Sequence, residues 1–139
     1  DNLGIFRVEN GRITGTFSVR SSVATQKQML LTRIRLLCEG LDGTATNTSS
    51  YPAWEYRRES PLRDAMVRVF TAQYGYEPKV EAIHAGLECG LLSGKLPGLD
   101  AVSFGPDLKD IHTPRERMSI SSVARTWQYL TAVLRELKQ

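Results

Sequence analysis

The sequence predicts an α/β fold in which two short apolar segments, residues 79–83 and 101–105, run as parallel strands on either side of a short helix at residues 86–93. Three observations carry this. The apolar runs follow the order strand, helix, strand, and parallel neighbours need such a crossover, which is right-handed. Ahead of them, Asn10-Gly11 separates two alternating segments and marks a β-hairpin. Three longer segments, residues 23–41, 61–75 and 120–137, carry apolar residues at helical spacing and supply the flanking helices.

The elements follow in order. Residues 4–7 and 13–19 form the hairpin, joined by Glu9-Asn10-Gly11-Arg12, because both central turn positions favour positive φ. In the second strand Ile13, Gly15, Phe17 and Val19 point one way, and Thr14, Thr16, Ser18 and Arg20 the other. Arg20 is thus expected on the polar face at the strand's end. Val23, Leu30, Ile34, Leu37 and Leu41 stripe the first helix, and Gly40 and Gly43 end it. A β-prone segment at residues 44–48 then completes half of a small two-layer α+β sandwich.

Polar residues 47–52 mark a boundary, dividing the chain into parts 1–49 and 50–139. Ser60 is the expected N-cap of the next helix and Pro61 its first residue. Leu62, Met66, Val69, Phe70 and Tyr74 form its buried stripe, and Gly75 closes it. The last helix is expected to bury Val123, Trp127, Leu130, Leu134 and Leu137, capped from among Ser119, Ser121 and Ser122.

Composition narrows the function classes. The net charge of +3 is spread over helices where Arg and Lys alternate with Glu, Asp and Gln, which argues against a nucleic-acid stripe. No apolar run approaches the roughly 20 residues of a membrane span, and no basic-then-apolar leader opens the chain. Cys38 and Cys89 stand in different settings, without a CxxC pair, and are expected to be reduced thiols.

The loops after two parallel strands open on the same sheet edge, where α/β proteins place ligands. His84, Ala85 and Gly86 follow the first strand, and Pro106 to His112 the second. Gly86 at a helix start would let a ligand approach exposed backbone N–H donors; equally, Gly86 and Gly90 would serve tight packing. His112 lies in a polar loop with Asp107, Asp110 and Glu116, suited to metal ligation with a carboxylate orienting the ring, though most loop histidines bind nothing. His84 fits a hydrogen bond at the core rim as well as a site. Glu88, in the first turn of its helix, is favoured there by the dipole alone. Arg20 offers a planar fork that matches a carboxylate.

The block Ile83-His84-Ala85-Gly86-Leu87-Glu88-Cys89-Gly90, with Ser103-Phe104-Gly105-Pro106 and His112-Thr113-Pro114-Arg115-Glu116, resembles the aminoacyl-histidine dipeptidases. These are the cytosolic non-specific dipeptidases of the two-zinc metallopeptidase superfamily that also holds carnosinases and aminoacylases. The resemblance runs from Asn2-Leu3-Gly4 through Phe17-Ser18-Val19-Arg20-Ser21-Ser22 and Tyr51-Pro52-Ala53-Trp54-Glu55 to the final helix. It matches the C-terminal third of that family's longer chains.

The resemblance implies that residues 1–49 are part of a lid of the kind that pairs in dimers, and that residues 50–139 end a zinc-peptidase-like catalytic domain. It implies His112 as the last zinc ligand, Arg20 as the grip on a dipeptide's free C-terminal carboxylate, and the Gly86 backbone as a second substrate contact. His84 and Glu88, read from their positions alone, are candidates to touch the substrate or to support the groups that do. The parent enzyme would use two zinc ions to hydrolyse Xaa-His and other dipeptides, probing a substrate class that involves neither nucleic acid nor membrane. The family's other ligands and its general base have no counterpart here, since the chain offers no His-x-Asp and no Glu-Glu pair. By itself it is therefore expected to bind zinc poorly and to hydrolyse nothing. Two other readings remain: a stand-alone α/β interaction module pairing through its hairpin edge, and an enzyme using Cys89 as nucleophile with His84 or His112.

Overall fold

The computed structural model describes residues 1–83 and 88–138. They form two compact units, one of Asp1–Tyr56 with Glu81–Leu99 and one of Arg57–Val80 with Asp100–Gln139.

The first unit opens with β1 (Asn2–Glu9) and β2 (Arg12–Ser18), an antiparallel pair in which Val8 faces Ile13 and Glu9 faces Arg12. Asn10 and Gly11 both have positive φ, 52° and 72°, as the Asn-Gly turn requires. A bulge interrupts the register between Leu3 and Ile5. β2 stops at Ser18, so Arg20 stands two residues past the strand and not on its face as expected. All residues of both strands are exposed.

Helix α1 (Ala24–Glu39) follows, and none of its side chains is fully buried. Its N-cap position holds Val23, which has no side-chain acceptor to offer. The segment 44–48 has no ladder partner among the described residues and is not a strand. Of the expected sandwich half, the hairpin and the helix form and the third strand does not. Further along, α3 (Glu88–Lys95) packs Gly90 beside Pro52 and Trp54.

The second unit is built on α2 (Pro61–Tyr74) and α4 (Ile120–Glu136). Ser60 caps α2 by accepting the Arg63 N–H at 3.1 Å, Pro61 begins it, and Gly75 ends it in the left-handed region at φ 78°. Met66, Tyr129 and Val133 form the core, with Leu62, Val69, Phe70 and Val102 packed against it. Phe70 and Phe104 meet the Tyr129 ring edge-on, at 5.5 and 5.3 Å between centroids. The Tyr129 hydroxyl donates to the Met66 carbonyl at 2.9 Å.

Two expectations fail here. Helix α4 buries Ser122, Tyr129 and Val133, and not the apolar stripe through Trp127 and Leu134, which are 65% and 57% exposed. Tyr129 decides the matter, because its ring fills the core while its hydroxyl finds an acceptor there. Residues 79–83 and 101–105 form no parallel pair; among the described residues both sheets are antiparallel and two-stranded. A strand exists only through a neighbour that takes its N–H and C=O groups, and neither segment has one in a ladder.

The second sheet was not foreseen. β3 (Leu108–Lys109) pairs with β4 (Arg117–Met118), Leu108 facing Met118 and Lys109 facing Arg117.

Candidate functional site

The β3–β4 pair exists to carry a loop, and that loop carries His112. Asp110 and His112 both adopt positive φ, 54° and 64°. Non-glycine residues rarely hold this conformation, and the loop compensates with local bonds. Thr113 donates its N–H and its hydroxyl to the Asp110 carbonyl, at 3.2 and 2.7 Å. The Thr113 hydroxyl also accepts the Arg115 N–H at 3.2 Å, and Glu116 donates its N–H to the Thr113 carbonyl at 3.0 Å. Arg117 pairs with Asp110 at 3.1 Å.

Of the carboxylates around His112, that of Glu116 accepts the His112 backbone N–H at 3.0 Å, fixing the residue by its main chain, while the residue itself is exposed. The base of the loop is fastened to α4. Asp107 donates its N–H to the Ser122 hydroxyl at 2.9 Å, accepts the Ser119 N–H at 3.0 Å, and pairs through its carboxylate with Arg125 at 3.3 Å.

A second anchored feature is the start of α2. Asp100 accepts the Ser60 hydroxyl at 2.6 Å and the Leu62 N–H at 3.0 Å. Burial raises its pKa, but these two bonds and the positive charges of Arg57 and Arg63 outweigh it, and the net shift is downward. Sequence reading missed Asp100, because a cap supplied from far along the chain leaves no local signal. Tyr129 is shifted the other way: burial, then the charge of Tyr74, raises its pKa.

Of the other expected site residues, Arg20 is exposed between β2 and α1, and Glu88 is the first residue of α3. His84 and Gly86 lie outside the described residues. Cys89 is a free, half-buried thiol, as is Cys38. Among the described residues no three His, Cys, Asp or Glu side chains come together to hold a metal ion. These residues taken alone do not fit a zinc centre, and no catalytic step through one follows from them. No described helix is long and apolar enough to cross a membrane.

No protein-family model matches the chain. It is 28% identical over 136 residues to the cytosol non-specific dipeptidase of Escherichia coli K12, covering 98% of this chain and 28% of that one. Over 88 residues, 63% of this chain and 26% of the relative, it is 39% identical to a Pyrococcus horikoshii protein named for LysW-lysine/LysW-ornithine hydrolysis. The solved aminoacylhistidine dipeptidase of Vibrio alginolyticus superposes on 96% of this chain and 27% of its own, with a TM-score of 0.80 and 27% identity.

By name these relatives are a dipeptidase and a hydrolase, and this chain is similar to both in sequence. The chain is homologous along nearly its whole length to the cytosol non-specific, or aminoacyl-histidine, dipeptidases. It spans just over a quarter of the length of the dipeptidases it matches.

Proposed function

We propose that this chain forms the C-terminal portion of a metal-dependent cytoplasmic dipeptidase acting on Xaa-His and other dipeptides. The observation that carries the reading is the dipeptidase match along 98% of the chain. In this proposal residues 1–49 belong to the lid and residues 50–139 to the catalytic domain.

The roles of the chain's own residues are those the family resemblance implies, and their chemistry suits them. Arg20 binds the substrate's free carboxylate through its two-pronged donor set, which selects dipeptides over internal peptide bonds. The Gly86 backbone would offer N–H donors to the substrate, and His84 and Glu88 are candidates to contact the substrate or to support the groups that do. His112 supplies one imidazole to a zinc pair whose other ligands, with the proton-shuttling glutamate, come from outside this chain. The loop bonds around Thr113 support this role, since a ligand held by its own main chain needs little reordering on binding. The chain by itself is inactive.

In the full-length enzyme His112→Ala should abolish dipeptide hydrolysis and lower the zinc content measured by atomic absorption. Zinc retained at the wild-type level would refute the ligand assignment.

One observation favours a second reading. β1 and β2 are exposed along their whole length, which suits a module that pairs by strand addition with another copy. Such pairing is also compatible with a homo-oligomeric enzyme. Hydrolysis of dipeptides by the full-length protein would dismiss the module reading.

A further inference from the structure

We propose that Glu55 is a positioning residue for Arg20, acting through the first turn of α1. The inference rests on the assignment of Arg20 to the substrate carboxylate.

A helix begins with N–H groups that need acceptors, and α1 has none at its own N-cap, Val23. Two residues supply them. Ser21 Oγ accepts the Val23 N–H at 3.0 Å, and Glu55 Oε1 accepts the Ala24 N–H at 2.8 Å from 31 residues away. The carboxylate also lies where the helix dipole favours negative charge. One turn further on, Lys27 donates its ammonium to the Tyr51 carbonyl and stands over the Tyr51 ring, 5.2 Å from its centroid. Both ends of the segment 51–55 thus hold the start of α1.

That segment is itself braced. A Cβ added at Gly90 of α3 would meet the Pro52 carbonyl oxygen at 3.3 Å and Trp54 Cβ at 3.4 Å, and one at Gly94 would meet Pro52 Cγ at 3.4 Å. The peptide from Tyr51 to Glu55 therefore touches both α3 and the start of α1.

Arg20 sits between two fixed points. The paired strand ends at Ser18, and the helix begins at Ala24. Removing Glu55 frees the second point. Because Glu55 is exposed, its loss leaves no cavity, and the effect should fall on the placement of residues 20–23.

The test compares a free dipeptide with its C-terminal amide in the full-length dipeptidase, for wild type, Arg20→Ala, Glu55→Ala and Glu55→Gln. Hydrogen exchange at the Ala24 amide is read alongside. Glu55→Ala should raise KM for the free dipeptide about tenfold, narrow the preference over the amide, and leave kcat and zinc content unchanged. Its Ala24 amide should exchange faster. Glu55→Gln, which keeps an acceptor oxygen, should restore most of the KM. If Arg20→Ala narrows the preference while Glu55→Ala does not, the positioning role is refuted and the carboxylate assignment stands. An Arg20→Ala enzyme with unaltered preference overturns the assignment itself.

Discussion

Replacing Asp100 with alanine should destabilise the second unit by about 2 kcal/mol at neutral pH, through the start of α2. The carboxylate accepts the Ser60 hydroxyl at 2.6 Å and the Leu62 N–H at 3.0 Å. A bond to a charged group contributes roughly 1.5–3 kcal/mol when shielded, and partial exposure pulls each of these towards the low end. Ser60 still caps the Arg63 N–H after the substitution, so one helix donor is orphaned rather than two.

The pH dependence makes the prediction specific. The folded-state pKa of Asp100 is depressed, so its contribution is complete above the ordinary aspartate pKa, roughly 3.9, and fades as pH falls through the lower folded value. Wild type and Asp100→Ala should therefore differ by the full amount at pH 7 and converge in acid below that pKa. Urea unfolding followed by Trp127 fluorescence, in a Trp54→Phe background, reports on this unit. A difference under about 0.5 kcal/mol at pH 7, or one that persists undiminished in acid, would refute the capping argument.

The remaining predictions concern the same unit. Tyr129→Phe keeps the ring contacts but leaves the Met66 carbonyl without its hydroxyl donor, at a cost of about 1 kcal/mol in the same unfolding assay. Since burial raises the Tyr129 pKa, its phenol stabilises the fold below the ordinary tyrosine value of roughly 10, and that part is lost as pH rises through the folded value. Tyr129→Phe should accordingly soften the alkaline fall in stability. Gly75→Ala introduces no clash, since nothing lies within 4 Å of the new Cβ. It does force φ 78° on a non-glycine residue, and should lower stability by about 1 kcal/mol; calorimetry showing no loss would remove the cap argument.

Local chemistry was legible where it is contained in a few neighbouring residues. Asn10-Gly11, Ser60-Pro61 and Gly75 announced a turn, a helix start and a helix stop, and each performs as its backbone preferences dictate. What lay hidden was chemistry between distant residues. Glu55 and Asp100 cap helices from far along the chain, and no periodic pattern records such a partnership. Face selection failed in α4 because apolarity alone ranks Trp127 above Tyr129, whereas the core needed a ring with an outlet for a hydroxyl. The strands expected at residues 79–83 and 101–105 failed for another reason, since a short apolar run cannot report whether a neighbouring ladder exists. Two-residue strands such as β3 and β4 are too short to alternate at all. At the candidate site, the sequence located His112 in a polar loop but not the bonding that gives the loop one shape.

The tether between Asp107 and the opening of α4 has a reach beyond its own few atoms. Ser119, Ser122 and Arg125 lie downstream of the histidine, yet they anchor the base of its loop. A chain cut just after Met118 would keep every residue of the loop and lose its mooring, so the tail's final helix is as much a part of the imidazole's address as the hairpin that displays it.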